Sequence, residues 1–424
     1  MIKFDNFSTP VVVFKTVISA DHGALGILRT LGRLGVPVYA VASDPRTSSF
    51  YSRYCRGKFV LDIDTTPEEK CLQFLLDVSK KIGGRPILIP TDDGAATFVA
   101  DHAEALRPSF HFQDQLTGMV NSLSSKKEMY FLAKKYSLPT PEAAFPKSRA
   151  DVLNFLPGAT FPIMLKAIYG THLWGAAGQK MFIVRSEAEL LDKYDQLEDP
   201  ANPNLMLQEY IPGGDDTIWM FDGYFNNESD CLFAITGKKI RQYPISRGST
   251  SLGVSLQNET VERATIEFMK KVSYKGIVDI GYRYDARDGV YKVLDINPRI
   301  GSSFRLFVST NGMDVARALY ADFTGQPVEP GSLQEGRKWL VEDQDLASSV
   351  AYYKSDRLSA GEWLRSFRGV KESAYFAFDD LWPCVMRVWN LARSVFESTL
   401  RLPAKKNAPD SENLSQPSKL RKEV

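Results

Sequence analysis

Tyr291-Lys292-Val293-Leu294-Asp295-Ile296-Asn297-Pro298-Arg299 reads as a buried β-strand whose end delivers a carboxylate, an amide and a guanidinium to one place. Asp295 and Asn297 are two apart, so on a strand both point to the same face. Hard oxygen ligands on a rigid strand suit Mg²⁺, which keeps several waters and takes few protein oxygens together with substrate phosphates. Arg299, just past Pro298, adds a fixed positive charge suited to a phosphate or an acyl-phosphate. Alone, Asp-x-Asn reads equally well as a core strand entering a polar turn. The segments upstream give it meaning.

The chain opens with alternating strand and helix patterns. Val11-Val12-Val13-Phe14 begins a mostly apolar run to Ile18, as a largely buried strand shows. Ser19-Ala20-Asp21-His22-Gly23 is a turn, and Leu25, Leu28, Leu31 and Leu34 then form a helical stripe. Val36 to Val41 is the next strand, completing a β-α-β unit. Further strands are expected at 59–61 and 86–90, with helices over 67–82 and 95–106. Ligands of open α/β sheets bind beyond the carboxyl ends of strands. That makes the loops Ser19–Gly23 and Thr91–Gly94 candidate substrate loops, with Asp21, His22 and Asp92 as candidate substrate-binding residues. Gly23-x-x-Gly26 is not the Gly-x-Gly-x-x-Gly of a dinucleotide site, so NAD is not expected.

A second unit starts at Ser125-Lys126-Lys127, which opens a helix to about Tyr136. Phe161 to Lys166 is a short apolar strand ending in lysine, followed by the glycine-rich stretch Tyr169 to Gly178 and a strand from Lys180 to Val184. Backbone N–H groups of such a hairpin loop can surround phosphates, with Lys166 as countercharge. Leu205 to Glu209 is a strand running into Tyr210-Ile211-Pro212-Gly213-Gly214-Asp215-Asp216, a hinge able to meet an adenine edge and a ribose.

Taken in order, Ser-Lys before a helix, Phe-Pro-x-x-x-Lys before a glycine-rich hairpin, Gln-Glu-Tyr-Ile-Pro-Gly and Asp-x-Asn-Pro-Arg resemble the ATP-grasp superfamily, and within it the carboxylate–amine ligases. The resemblance covers about 1–330. It implies an α/β fold with an α+β lid: a Rossmann-like N-terminal domain (1–122), a linker helix and hairpin lid (123–207), and an α+β nucleotide and metal domain (208–330). A helical extension (331–403) and a disordered tail (404–424) would follow. The resemblance also implies roles. ATP would be held by Lys126 (with Lys127 as fallback), Lys166, Gly175, Gly178, Glu209, Tyr210, Ile211 and Asp216 or Asp215. Mg²⁺ or Mn²⁺ would sit on Asp295 and Asn297, with Arg299 beside the transferred phosphoryl group. Family members usually carry another metal carboxylate on the preceding strand. Gly281 stands there, and Asp279, two residues away on the same face, is the candidate replacement. The basic segment 236–249 is similar to the part of D-aspartate ligase-like enzymes that receives the acid, which makes Arg241, Arg247 and Ser249 candidate substrate-binding residues.

The implied reaction is ATP-dependent amide formation from a small carboxylic acid and an amine, through an acyl-phosphate. The alternatives are a carboxylase-type member activating bicarbonate and a nucleotide-binding or membrane-associated module without turnover. A net charge of +1 gives no electrostatic case for nucleic acid. Four scattered cysteines and no run long enough to span a bilayer fit a cytoplasmic protein. Beyond Pro330, helices are expected over 348–354, 360–367 and 379–402. The last carries a wide apolar stripe through Trp382, Val385, Trp389 and Phe396. It is expected to serve attachment, on its own domain or a partner subunit, with an anionic membrane surface as the alternative.

Overall fold

The computed structural model describes residues 4–17, 21–116, 118–168, 181–246 and 248–400. The expected tail, 404–424, lies outside them, as do Gly175, Gly178, Arg247 and the turn residues 18–20.

The first layer contains β1 (Val11–Phe14), α1 (His22–Gly32), β2 (Val38–Ala42), β3 (Cys55–Val60), α2 (Glu68–Ile82), β4 (Ile87–Pro90), α3 (Asp93–Asp101) and α4 (Ala103–Leu106). Its four strands pair in parallel in the order β3-β2-β1-β4. β1 is buried at every position because helices cover both faces, which is why its sequence is a continuous apolar run. The first 95–106 helix of the sequence reading is two helices, broken at His102.

Next come α5 (Met119–Ser124), α6 (Lys126–Lys135), β5 (Ala143–Ala144), α7 (Arg149–Phe155), β6 (Ile163–Ala167), β7 (Met181–Val184), α8 (Glu187–Leu197) and β8 (Leu205–Glu209). Ser125 caps α6 by accepting from the Glu128 amide, so the serine before the lysine pair starts the helix and fixes Lys126 at its first position. The strands form a small antiparallel sheet, β5-β8-β6-β7.

The large sheet runs β13-β12-β9-β10-β11-β14-β15. It comprises β9 (Ile218–Phe225), β10 (Cys231–Tyr243), β11 (Ser249–Ser255), β12 (Gly276–Asp285) and β13 (Val290–Asn297), with α9 (Glu259–Lys271) and α10 (Val315–Phe323) packed on it. β14 (Lys338–Leu340), followed by α11 (Glu342–Lys354) and α12 (Ala360–Ser366), and β15 (Val370–Ser373), followed by α13 (Trp382–Leu400), complete it. The expected helical extension thus contributes two strands to the central sheet, and α11 starts six residues earlier than the sequence pattern suggested.

One apolar core joins the first layer to this sheet: Leu25 and Leu28 of α1 share it with Phe304, Leu319 and Trp339. Buried ion pairs fasten the same seam. Arg29 of α1 reaches Asp380 at 2.9 Å, and Arg305 bridges Asp314 and Glu372. Arg241 of β10 meets Asp345 of α11 in a two-pronged pair at 2.8 and 2.9 Å, with Ser366 taking a third N–H. Both partners are buried, so Arg241 is not a carboxylate clamp for substrate; Asp345 of the C-terminal segment already holds it.

Breaking such a pair strands a buried charge. Arg241→Met is therefore expected to cost about 3–5 kcal/mol of stability, and Arg241→Met with Asp345→Leu to recover most of it. Urea unfolding of the two variants checks this; equal loss in both contradicts it.

Candidate functional site

β12 and β13 pair antiparallel with Asp279 opposite Asn297 and Gly281 opposite Asp295. Residues directly opposite share a face, so these four positions converge. The register then slips, leaving Leu294 unpaired as a bulge between Asp295 and Val293. Leu294 and Asp295 both line the cleft that lies over this sheet end. Gly281 is explained by its neighbour: a Cβ there would lie 2.5 Å from Asp295 Oδ1. Gly301 likewise makes room for Asp279, whose Oδ2 is 2.5 Å from where a Cβ would stand.

The cleft has a volume of about 730 Å³ and lies between the small and large sheets. Lys126, Met164, Lys166, Met206 and Gln208 line it from the side of α6 and the small sheet. Glu209, Tyr210, Ile211 and Asp215 come from the hinge, and Asp279, Asp295, Asn297 and Arg299 from the sheet end. The fold brings together the two lysines, the hinge residues and the sheet-end residues that the sequence pattern singled out, and adds Met164, Met206 and Gln208 to them. Lys166 Nζ donates to Gln208 Oε1 at 2.7 Å, and desolvation lowers its pKa to about 8. Asn297 Nδ2 donates to Asp295 Oδ2 at 3.1 Å and to the Asp279 carbonyl at 3.2 Å. Arg299 donates through Nη2 to Asn297 Oδ1 and through Nε to Asp93 Oδ1, at 3.2 and 2.6 Å. Desolvation pushes Asp279 up to about 6, against the opposing pull of Arg299.

Other expectations are corrected. Asp92 caps α3 and accepts from Thr16 N, Thr16 Oγ1 and Ala95 N, so it holds the end of β1 and does not line the cleft; its neighbour Asp93 reaches Arg299. Asp21 accepts from Ser49 N and Oγ at 2.8 and 2.7 Å and is buried. His22 is buried against the rings of Trp339 and Tyr375, away from the cleft, with no hydrogen-bond partner at either ring nitrogen. Asp215, not Asp216, lines the cleft. It accepts from Gln242 Nε2 at 2.6 Å, from Arg357 Nη2 at 3.2 Å and from Tyr352 Oη. Lys127 lies over the Phe145 ring rather than in the cleft, which leaves Lys126 in the first position. Ser249 lines the cleft; Arg247, Gly175 and Gly178 lie outside the described residues.

Three charged residues of the cleft were missed. Lys239 of β10 lines the cleft and donates to the Gly248 carbonyl at 2.9 Å. Desolvation lowers its pKa while Asp295, Asp279 and Asp215 pull the other way. It sits two before Arg241 on the same strand, within the basic segment 236–249. Arg283 lines the cleft from β12. Arg357, after α11, enters from the C-terminal segment, where no motif pointed to it.

Among the described residues no cluster of three or more His, Cys, Asp or Glu side chains is placed to hold a metal. The donor set is two carboxylates and one amide, Asp279, Asp295 and Asn297, on adjacent positions of one face. Hard oxygens few in number fit Mg²⁺ completed by water and phosphate oxygens.

No protein-family model matches the sequence. Over 370 residues, 83% of this chain and 88% of the relative, it is 23% identical to D-aspartate ligase from Enterococcus faecium. The solved L-amino acid ligase from Bacillus licheniformis superposes with a TM-score of 0.56 at 15% identity, over 77% of this chain and 78% of that one. N5-carboxyaminoimidazole synthetase from Staphylococcus aureus, solved with ADP, gives 0.59 at 12% identity, over 80% and 82%. The fold is the ATP-grasp fold, α/β with the small second sheet, as the order of motifs implied. Over most of its length the chain resembles carboxylate–amine ligases of that fold.

His22 yields a pH prediction. Burial lowers its pKa from 6.5 to about 3, so between those values the unfolded chain binds a proton that the folded chain refuses. Stability then falls as pH falls, by up to about 1.4 kcal/mol per pH unit from this group. His22→Phe is expected to remove that slope, seen as converging urea midpoints at about pH 6 and about pH 4. An unchanged slope contradicts the assignment.

Proposed function

We propose that the chain is an ATP-dependent carboxylate–amine ligase that forms an amide through an acyl-phosphate, with release of ADP and phosphate. One observation carries this reading. Two lysines, Lys126 and Lys166, line one side of a single cleft, while Asp279, Asp295, Asn297 and Arg299 line the end of the sheet. Phosphates fit the first group, and a cation fits the three oxygen donors Asp279, Asp295 and Asn297 of the second. The sequence similarity to an enzyme named for joining D-aspartate supports an amino acid as one substrate.

Tyr210 and Ile211 border the adenine position, and the apolar side chains Met164 and Met206 line the same cleft. Asp215, held by Gln242 and Arg357, is the residue that would meet ribose hydroxyls. Lys126 and Lys166 take the α- and β-phosphates. A bound Mg²⁺ would neutralise charge developing on the γ-phosphoryl group, and Asp279, Asp295 and Asn297 are the residues that would hold it. Arg299 and Lys239 supply positive charge toward the acid and the transferred group. The γ-phosphoryl group moves from ATP to a carboxylate oxygen of the acid, and ADP leaves. The amine then attacks the acyl carbon, phosphate leaves and the amine proton passes to solvent. No nucleophilic side chain is required; the chain positions the reactants and neutralises charge.

ADP release across pairs of amino acids and amines is expected to depend on both partners and on Mg²⁺. Lys166→Ala is expected to weaken ATP binding ten- to a hundredfold, a loss of roughly 1.5–3 kcal/mol for a charge-assisted contact. Calorimetry on the folded variant checks it, and unchanged affinity contradicts the phosphate assignment. Gly281→Ala is expected to displace the Asp295 carboxylate and abolish most Mg²⁺-dependent turnover with the fold intact. Full turnover in that variant contradicts the metal assignment.

A further inference from the structure

Helix α13 is mounted the wrong way round for a helix that serves only its own domain. Pro383 is buried, and Met386, Arg387 and Asn390 are half-buried against the body. Arg387 Nε donates to Asp343 Oδ2 at 3.0 Å, and Asn390 Nδ2 to the Arg46 carbonyl at 2.9 Å. The helix rests on the 3₁₀ turn Ser48–Tyr51. At about 100° per residue, Trp382, Val385, Val388, Trp389 and Leu391 then cover an arc of about 180° on the opposite side. All five are exposed, Trp382 and Trp389 by 65% each. The sequence pattern suggested that this apolar stripe packs on the chain's own domain or on a partner subunit. Among the described residues, none of the chain's own domain covers it.

We propose that α13 lies in the plane of an anionic lipid surface, apolar half down. Three features favour a bilayer over a second copy of the chain. The arc spans half the helix girth, which matches a flat boundary between apolar and polar phases; two helices packing together share a narrower seam. The two tryptophans stand at one margin of the arc, where their part-polar rings meet the headgroup level. Arg393, exposed and paired with Glu397 at 2.6 Å, lies just beyond that margin. Arg53, flanking the turn beneath the helix, is exposed, while Arg46 is paired with Asp44 at 2.6 Å, and the sequence that follows the helix, 401–424, contains six Lys or Arg against three Asp or Glu. Such cations draw a surface toward anionic lipid. None of the described helices is long and apolar enough to cross a membrane, so the helix would lie on the surface rather than span it.

The test is co-sedimentation of the full chain with vesicles of phosphatidylcholine and of phosphatidylcholine mixed with phosphatidylglycerol. Trp389→Glu and Val388→Glu are the variants, each with its thermal unfolding measured, since both sites are exposed and the fold should persist. Binding to the mixed vesicles, weakened by salt and at least about tenfold weaker in each variant, is the expected result. Absence of binding to either vesicle, or binding that neither variant reduces, overturns the proposal. A dimer in solution that Trp389→Glu disperses, without lipid binding, also overturns it and gives the face to a second copy.

Discussion

Everything in the candidate site depends on the register between two neighbouring strands. With Asp279 opposite Asn297 and Gly281 opposite Asp295, three oxygen-bearing side chains fall on one face within two rungs of a ladder. A slip of one residue would send them to the other face. The bulge at Leu294 lets the strand present both Leu294 and Asp295 to the cleft, and the absence of a side chain at 281 lets Asp295 lie where it does. Glycine at that position is therefore a steric condition of the arrangement. With Asp295 in this place, a carboxylate at 281 would have to displace it.

The second condition is that the sheet be held still. The C-terminal segment does this. β14 and β15 extend the sheet, Asp345 holds Arg241, and Glu372 takes Arg305 and Arg337 in a buried cluster. Desolvation works against the charge on Glu372, but the two arginines keep its pKa down at about 2. From the same segment Tyr352 and Arg357 fasten Asp215 at the hinge. A region whose sequence suggested a separate extension thus stiffens the hinge side of the cleft and lends it a cation.

What could be read in advance follows from how local each signal is. The strand ending in Asp295, Asn297 and Arg299, the capped helix placing Lys126 and the strand carrying Lys166 were legible because spacing alone fixes which face a residue occupies. Arg241 was misread because spacing does not report partners: Asp345 lies 104 residues away. Asp21, His22 and Asp92 were misread for a related reason. Loops at strand ends are where ligands bind in open sheets, but here these side chains brace the loops themselves, while Asp93, the neighbour, reaches the site. β14 and β15 are three and four residues long, too short to show a period, and Arg357 has no motif around it. The outward turn of α13 was beyond the sequence altogether, since an apolar stripe says how wide a face is and not what it meets.

The proposed reaction of this cleft is phosphoryl transfer to a carboxylate. The most direct measurement follows oxygen. An acid that supports ADP release is supplied with ¹⁸O in its carboxylate, and the inorganic phosphate released on amide formation is analysed by mass. Passage through an acyl-phosphate predicts one ¹⁸O atom in each phosphate formed. Amide formation with unlabelled phosphate, or with the label in AMP, would contradict the account.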